Sequence, residues 1–151
     1  MTRRTRLLVT RAFLVGVAIA ALSGCEGQNL NQGPVALAFH DGGVDVAFCQ
    51  ESNATRLLVN EKKGSWRAIW IADGSTHVGV GEIVSADSLA ERFDSVTMNA
   101  DPDESADGLE VTLLAENADS NISASFSLPS ELPGTGKWLK PNGSISDTPC
   151  G

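Results

Sequence analysis

The sequence predicts an all-β fold, an antiparallel β-sandwich with one short helical turn, and three observations support this. Short apolar stretches recur beyond residue 33, and turn-forming residues, often including glycine, separate them. Residues 121–128 alternate strictly between polar and apolar side chains, as expected of a strand with one buried and one solvated face. Only one segment, residues 85–93, carries a helix signal.

The strands follow from the turns between them. His40-Asp41-Gly42-Gly43 stands between two apolar stretches, and Asp-Gly in that position is typical of a β-hairpin. Lys62-Lys63-Gly64 and Ala72-Asp73-Gly74 mark two further turns. In chain order, the predicted strands are residues 35–39, 44–50, 55–60, 66–72, 77–84, 96–99, 109–116 and 122–128.

Ser88-Leu89-Ala90-Glu91 matches a capping box and predicts the helical turn. Seven or eight strands at turn-marked intervals between residues 34 and 151 predict a single domain, a sandwich of the immunoglobulin-like kind. The helical turn would then cross between the two sheets. A small closed barrel is the alternative architecture.

The first 24 residues have the three parts of a secretory signal peptide. Four arginines (3, 4, 6 and 11) precede an apolar core at residues 12–22, and Ser23 and Gly24 follow it. The eleven core residues fall short of the roughly 20 that a permanent membrane-spanning helix requires. Residues 1–24 are therefore predicted to direct export.

Leu22-Ser23-Gly24-Cys25 resembles the lipobox of bacterial lipoproteins. In that class the cysteine thiolate receives a diacylglyceryl group, the chain is cut before it, and the lipidated cysteine becomes the N-terminus. Two acyl chains suffice for stable anchoring, because each buried methylene contributes about 0.8 kcal/mol. The resemblance implies lipidation of Cys25 and attachment to the extracytoplasmic face of the cell membrane. Residues 26–33 are polar and without apolar periodicity, so residues 25–33 are predicted to be a lipidated cysteine and a polar tether. A Cys25 that belongs to the fold is the alternative.

Removing the signal makes the chain strongly acidic. Four of the 11 basic residues leave with it, so seven remain against 19 acidic ones and the net charge falls from -8 to -12. Such a surface repels nucleic acid and anionic headgroups, which excludes nucleic-acid binding as an expected function. Cations, basic partners or simple solubility fit this charge.

The cysteine count is odd, with three in the chain. If Cys25 carries lipid, Cys49 and Cys150 are left to form a disulfide in the oxidising export compartment. Two free buried thiols or a cysteine metal site are the alternatives, although the C-x-x-C spacing common in zinc sites is absent.

Catalytic residues are not evident, and no enzyme activity and no cofactor are predicted. His40 adjoins Asp41, and Asp73, Ser75 and His77 share one turn, but a triad needs side chains that converge from separate positions. The rival hypothesis is a metal-dependent or hydrolytic envelope enzyme that uses His40, His77 and the acidic loop.

The acidic loop covers residues 101–108, and its Asp101, Asp103, Glu104 and Asp107 are candidate ligands for weak calcium binding. It departs from the EF-hand pattern, with Ala106 where glycine makes the sharp turn and Thr112 where the bidentate glutamate would stand. A solvated loop is the alternative.

Trp66 and Trp70 are four residues apart in a predicted strand, hence on one face and about 13 Å apart. On a solvated face they would form a platform for sugar rings or for a partner's apolar patch. Packing in the core, in a row with Ala68 and Ala72, is the alternative.

Three motifs carry a second resemblance: Phe48-Cys49-Gln50, residues 64–70 (GSWRAIW) and the ending from Gly136 to Gly151. They are similar to small uncharacterised exported proteins of high-GC Gram-positive bacteria. This likeness implies an envelope location and a Cys49–Cys150 bridge, and it brings no assigned activity. The sequence thus predicts a lipid-anchored cell-envelope protein that acts as a binding or accessory module for another envelope protein.

Overall fold

The computed structural model describes residues 33–151. Two antiparallel five-stranded sheets pack face to face, with one short helix, so the predicted β-sandwich is confirmed and the chain does not close into a single barrel. The predicted signal peptide, Cys25 and most of the predicted tether lie outside the described residues. Within residues 33–151, no helix is long and apolar enough to cross a membrane.

Ten strands alternate with short connections. In chain order they are β1 (Val35–His40), β2 (Gly43–Phe48), β3 (Ser52–Lys63), β4 (Ser65–Val78), β5 (Glu82–Ser85), β6 (Ser95–Asn99), β7 (Gly108–Ala115), β8 (Ile122–Ser127), β9 (Trp138–Leu139) and β10 (Ile145–Ser146). The first sheet has the order β10-β9-β1-β2-β5, and the second has the order β6-β4-β3-β7-β8. A 3₁₀ turn at Ala86–Ser88 and the helix α1 (Leu89–Arg92) lie between β5 and β6.

The core lies between the sheets and is built from alternate residues of each strand. In β8 the apolar residues Ile122, Ala124 and Phe126 are buried, whereas the three serines between and after them are exposed. Residues Val35, Leu37 and Phe39 of β1 face the same core from the first sheet. The strict alternation seen in the sequence therefore sets which face of each strand is buried.

One predicted strand is wrong. Residues 77–84 do not form a single strand, because β4 ends at Val78 and a turn at Val80 and Gly81 sends the chain to the other sheet as β5. The Gly81 amide donates to the Phe48 carbonyl at 2.7 Å, and the Glu82 carboxylate accepts from the Gly79 amide at 2.6 Å. These two bonds fix the reversal.

The sandwich has two ends that differ in the bonds that hold them. At the tether end, where the described chain begins, the Cys49 amide donates to the Pro34 carbonyl and a disulfide joins Cys49 to Cys150. The Ser52 hydroxyl donates to the Ser120 carbonyl at the same end. The distal end gathers the β1–β2 turn, the β3–β4 turn at Gly64, the acidic loop and Leu128. β1 runs from the tether end to the distal end, and its six residues separate the two ends by about 20 Å.

The predicted disulfide is present. Cys49 and Cys150 are 101 residues apart in sequence, and their Cα atoms are 5.3 Å apart. Beside the bridge, the buried Lys140 ammonium donates to the Pro149 carbonyl, and its burial lowers the pKa of that lysine. Both interactions hold the C-terminal residues against the tether end.

Replacing both bridge cysteines by serine should lower the free energy of unfolding by about 2 to 4 kcal/mol, because the bridge closes a loop of about 100 residues in the unfolded chain. Urea unfolding of wild type and variant, with and without reductant, measures this difference. Reductant should leave the double variant unchanged. Two free thiols in the intact mass of the exported protein would contradict the bridge.

Candidate functional site

An open cleft at the distal end is the candidate functional site, and it has two adjoining lobes that share His40, Gly42 and Gly43. The acidic lobe has a volume of about 330 Å³, and its carboxylates are Asp41, Asp45, Asp87 and Asp101. The apolar lobe has a volume of about 110 Å³; Asp103, Glu104 and Ser130 lie at its walls, and its apolar side chains are Phe39, Pro102, Ala106, Leu128, Pro129 and Leu132. Among the described residues, no lysine or arginine lines either lobe.

The β1–β2 turn shapes the floor that the lobes share. Gly42 has a φ of 76°, in the left-handed region that favours glycine. The His40 ring lies against Gly43, where a Cβ would stand 2.3 Å from its Cε1 atom. The ring Nε2 lies 3.5 Å from the Asp45 carboxylate. The turn therefore places an imidazole and two aspartates side by side at the mouth of the cleft.

The buried carboxylate of Glu61 attaches the acidic loop to the second sheet. One of its oxygens accepts from the Arg67 guanidinium, and the other accepts from the Asp103 amide at 2.7 Å. The loop closes with two more bonds, in which the Asp107 amide donates to the Lys62 carbonyl and the Leu128 amide to the Asp107 carbonyl. These bonds fix one wall of the apolar lobe.

Both oxygens of the Asp103 carboxylate accept hydrogen bonds from neighbouring residues. One carboxylate oxygen accepts from the Lys63 ammonium at 2.7 Å, and the other accepts from the amide and hydroxyl of Ser105 at 2.8 and 2.6 Å. The lysine bond, followed by the two serine bonds, holds the pKa of Asp103 well below its usual range. Asp103 therefore stays ionised and is used to order the loop.

The geometry does not assemble the four candidate calcium ligands. Asp101 lines the acidic lobe, whereas Asp103 and Glu104 line the apolar lobe. Across residues 33–151, no group of three or more histidine, cysteine or acidic side chains is placed to hold a metal ion. Calcium binding by this loop stays a prediction that these positions do not support.

The two histidines lie at different sites. His40 lines the distal cleft on the first sheet, whereas His77 belongs to the second sheet at the tether end. The His77 Nδ1 lies 3.0 Å from the Asn53 side-chain oxygen, in a shallow depression that Glu116 also lines. The structure thus gives the rival enzyme hypothesis no shared site for these residues.

The expectation that Trp66 and Trp70 share a face is wrong. A bulge at Ile69 shifts the β3–β4 register, so that Trp70 pairs with Val59 but Ala68 pairs with Asn60. Trp70 is therefore fully buried, with its indole N–H donating to the Ala100 carbonyl, while Trp66 keeps 48% of its surface exposed. The apolar run Ile69-Trp70-Ile71, which breaks the alternation, is the signal that could have revealed the bulge.

No family model, curated protein or solved structure matches this chain.

Because of Asp103, the free energy of unfolding should fall at low pH. Because folding lowers the pKa of Asp103 well below the value of 3.8 of the free group, the stabilisation is present above that value and is lost progressively as the pH falls below it toward the folded pKa. Asp103→Asn should flatten this part of a plot of urea midpoint against pH. Asp119→Asn, an exposed residue at the tether end, is the control and should keep the wild-type slope. An unchanged slope in Asp103→Asn would contradict the assigned role.

Proposed function

We propose that the protein is a lipid-anchored module of the cell envelope that binds a basic segment of another envelope protein through its distal cleft. One observation carries the proposal: the described part of the chain begins at the tether end, and the two-lobed cleft opens at the opposite end of β1. A chain anchored through Cys25 would therefore present this cleft away from the membrane.

The short tether supports this orientation. Eight residues, 26–33, separate Cys25 from Pro34, and a fully extended stretch of that length reaches only about 26 to 29 Å. The tether end would thus stay near the bilayer. The excess of acidic residues in the domain would keep the rest of its surface away from anionic headgroups.

The charge of the cleft indicates the chemistry of its partner. Four carboxylates around one histidine in an open lobe favour a lysine or arginine side chain, because complementary potentials speed encounter and fix register. The adjoining apolar lobe would take a neighbouring apolar side chain of the same segment. A short sequence that combines basic and apolar residues fits both lobes.

We also propose that the sandwich is immunoglobulin-like in connectivity. The support is that β7 lies beside β3, although three strands separate them in the chain. The chain also crosses between sheets after β2, β4, β5 and β8, as in Greek-key sandwiches.

Anchoring predicts that Cys25→Ala releases the protein from the membrane fraction, because the variant cannot form the thioether to lipid. Fractionation of cells that produce either form measures this release. The intact mass of the wild type should exceed that of the cut polypeptide by a diacylglyceryl group. Tight membrane retention of Cys25→Ala would contradict the anchor.

Partner binding predicts that crosslinking of the tagged protein in its native host captures one envelope protein in near-equal amount. Recovery should fall about tenfold in the double variant Asp41→Asn, Asp87→Asn, because two lost charge contacts of this kind cost about 1.4 kcal/mol.

The matched control changes the same charge at the tether end, at the exposed residues Glu51 and Asp119, as Glu51→Gln, Asp119→Asn. It should recover the partner as the wild type does, and Cys25→Ala should lose it. Equal losses in the two double variants would contradict binding at the distal cleft.

A further inference from the structure

The outer face of the second sheet carries a polar surface around Trp66. The backbone registers place Trp66 opposite Lys62 of β3, Lys62 opposite Gly108 of β7, and Gly108 opposite Ser127 of β8. These four residues form one row across the sheet, perpendicular to the strands. The side chains of Trp66, Lys62 and Ser127 point away from the sandwich core, as their exposure shows, and Gly108 leaves the row open between Lys62 and Ser127.

The indole of Trp66 reaches across the neighbouring strand. Its Cη2 atom comes within 3.8 Å of the position that a Cβ on Gly108 would occupy, although Gly108 lies two strands away, about 9.6 Å in strand spacing. The ring therefore extends across β3 toward β7, and the Lys62 ammonium lies over the ring, 6.0 Å from its centroid. Trp66 keeps 48% of its surface exposed, so a large part of the indole is accessible to a ligand that shares the ring with this ammonium.

Hydrogen-bonding side chains lie beside the ring. The next row, about 7 Å along the strands, contains Asn60, Glu110 and Ser125, and the Asn60 amide donates to the Glu110 carboxylate at 3.3 Å. Ala68 of β4 is the first residue of this row and lies next to Trp66. Its small side chain leaves the flank of the ring clear. Amide, carboxylate and hydroxyl groups thus adjoin an aromatic face, in reach of one ligand.

We propose that Trp66 and this polar row form a binding site for a neutral glycan built of pyranose rings. A pyranose ring has an apolar C–H face that packs on an aromatic face, and hydroxyls at its rim that exchange hydrogen bonds with amide, carboxylate and hydroxyl groups. The acidic excess of the domain disfavours negatively charged polysaccharides.

A protein partner with an apolar patch fits this surface less well. Aromatic hot spots in protein interfaces are surrounded by contacts that exclude water. Trp66 has polar groups around it instead. The other large exposed apolar residues of the described chain, Val80, Ile83, Met98, Leu132 and Ile145, all lie outside the Trp66 row and the row beside it. The site is also separate from the distal cleft, so either proposal can fail alone.

The test measures binding of three probes, the β-1,4-linked hexamers of glucose, mannose and N-acetylglucosamine, to the purified full-length chain by calorimetry. Iodide quenching of tryptophan fluorescence provides a second readout. It reports on Trp66, because Trp70 and Trp138 are buried. At least one hexamer should bind and protect Trp66 from iodide.

Trp66→Ala should weaken that affinity at least tenfold, whereas Met98→Ala, an exposed apolar residue on the edge strand of the same sheet, should keep it. Protection of Trp66 in the wild type needs no variant and so tests the site even if Trp66→Ala folds poorly. Failure of all three hexamers to bind, or binding that leaves Trp66 open to iodide, would overturn the proposal.

Discussion

Burial of the inner faces of the two sheets against each other is the interaction on which the rest of this structure depends. Every second residue of the long strands must be apolar to fill that layer, so polar side chains are confined to the outer faces and to the two ends. Any chemistry the domain performs must therefore come from the loops or from an outer face. The distal cleft and the Trp66 row are the two places where functional groups collect.

The two ends are held by different kinds of bond. At the tether end, a disulfide fixes the C-terminal residues covalently, and the buried Lys140 ammonium adds one hydrogen bond to the Pro149 carbonyl. At the distal end, the buried Glu61 and the ion pair of Asp103 with Lys63 order the loops through hydrogen bonds and ion pairs, without a covalent link. Loops ordered in this way keep polar groups near solvent, where a ligand can reach them.

The sequence predicts the parts of the fold that depend on local pattern. The alternation in residues 121–128 identifies β8 and its buried face, and the cysteine count identifies the bridge. β9 and β10 are only two residues long and exist through pairing with β1 and with each other, so no local signal marks them.

The candidate site is less predictable, because the positions of single residues, a bulge and a buried carboxylate, determine its geometry. The bulge at Ile69 reverses the face of every residue beyond it and separates Trp66 from Trp70. Glu61 resembles an ordinary solvated residue near a strand end, yet it is buried and anchors the acidic loop.

We propose that the distal end of the sandwich, rather than the tether end, meets a partner. A photo-crosslinking amino acid placed at Asp41 or at Glu51 of the anchored protein in cells tests it directly, since both residues are exposed and lie at opposite ends of the sandwich. Binding at the distal end predicts one discrete adduct with an envelope protein from position 41 and none from position 51. An adduct from position 51 with none from position 41 would contradict it.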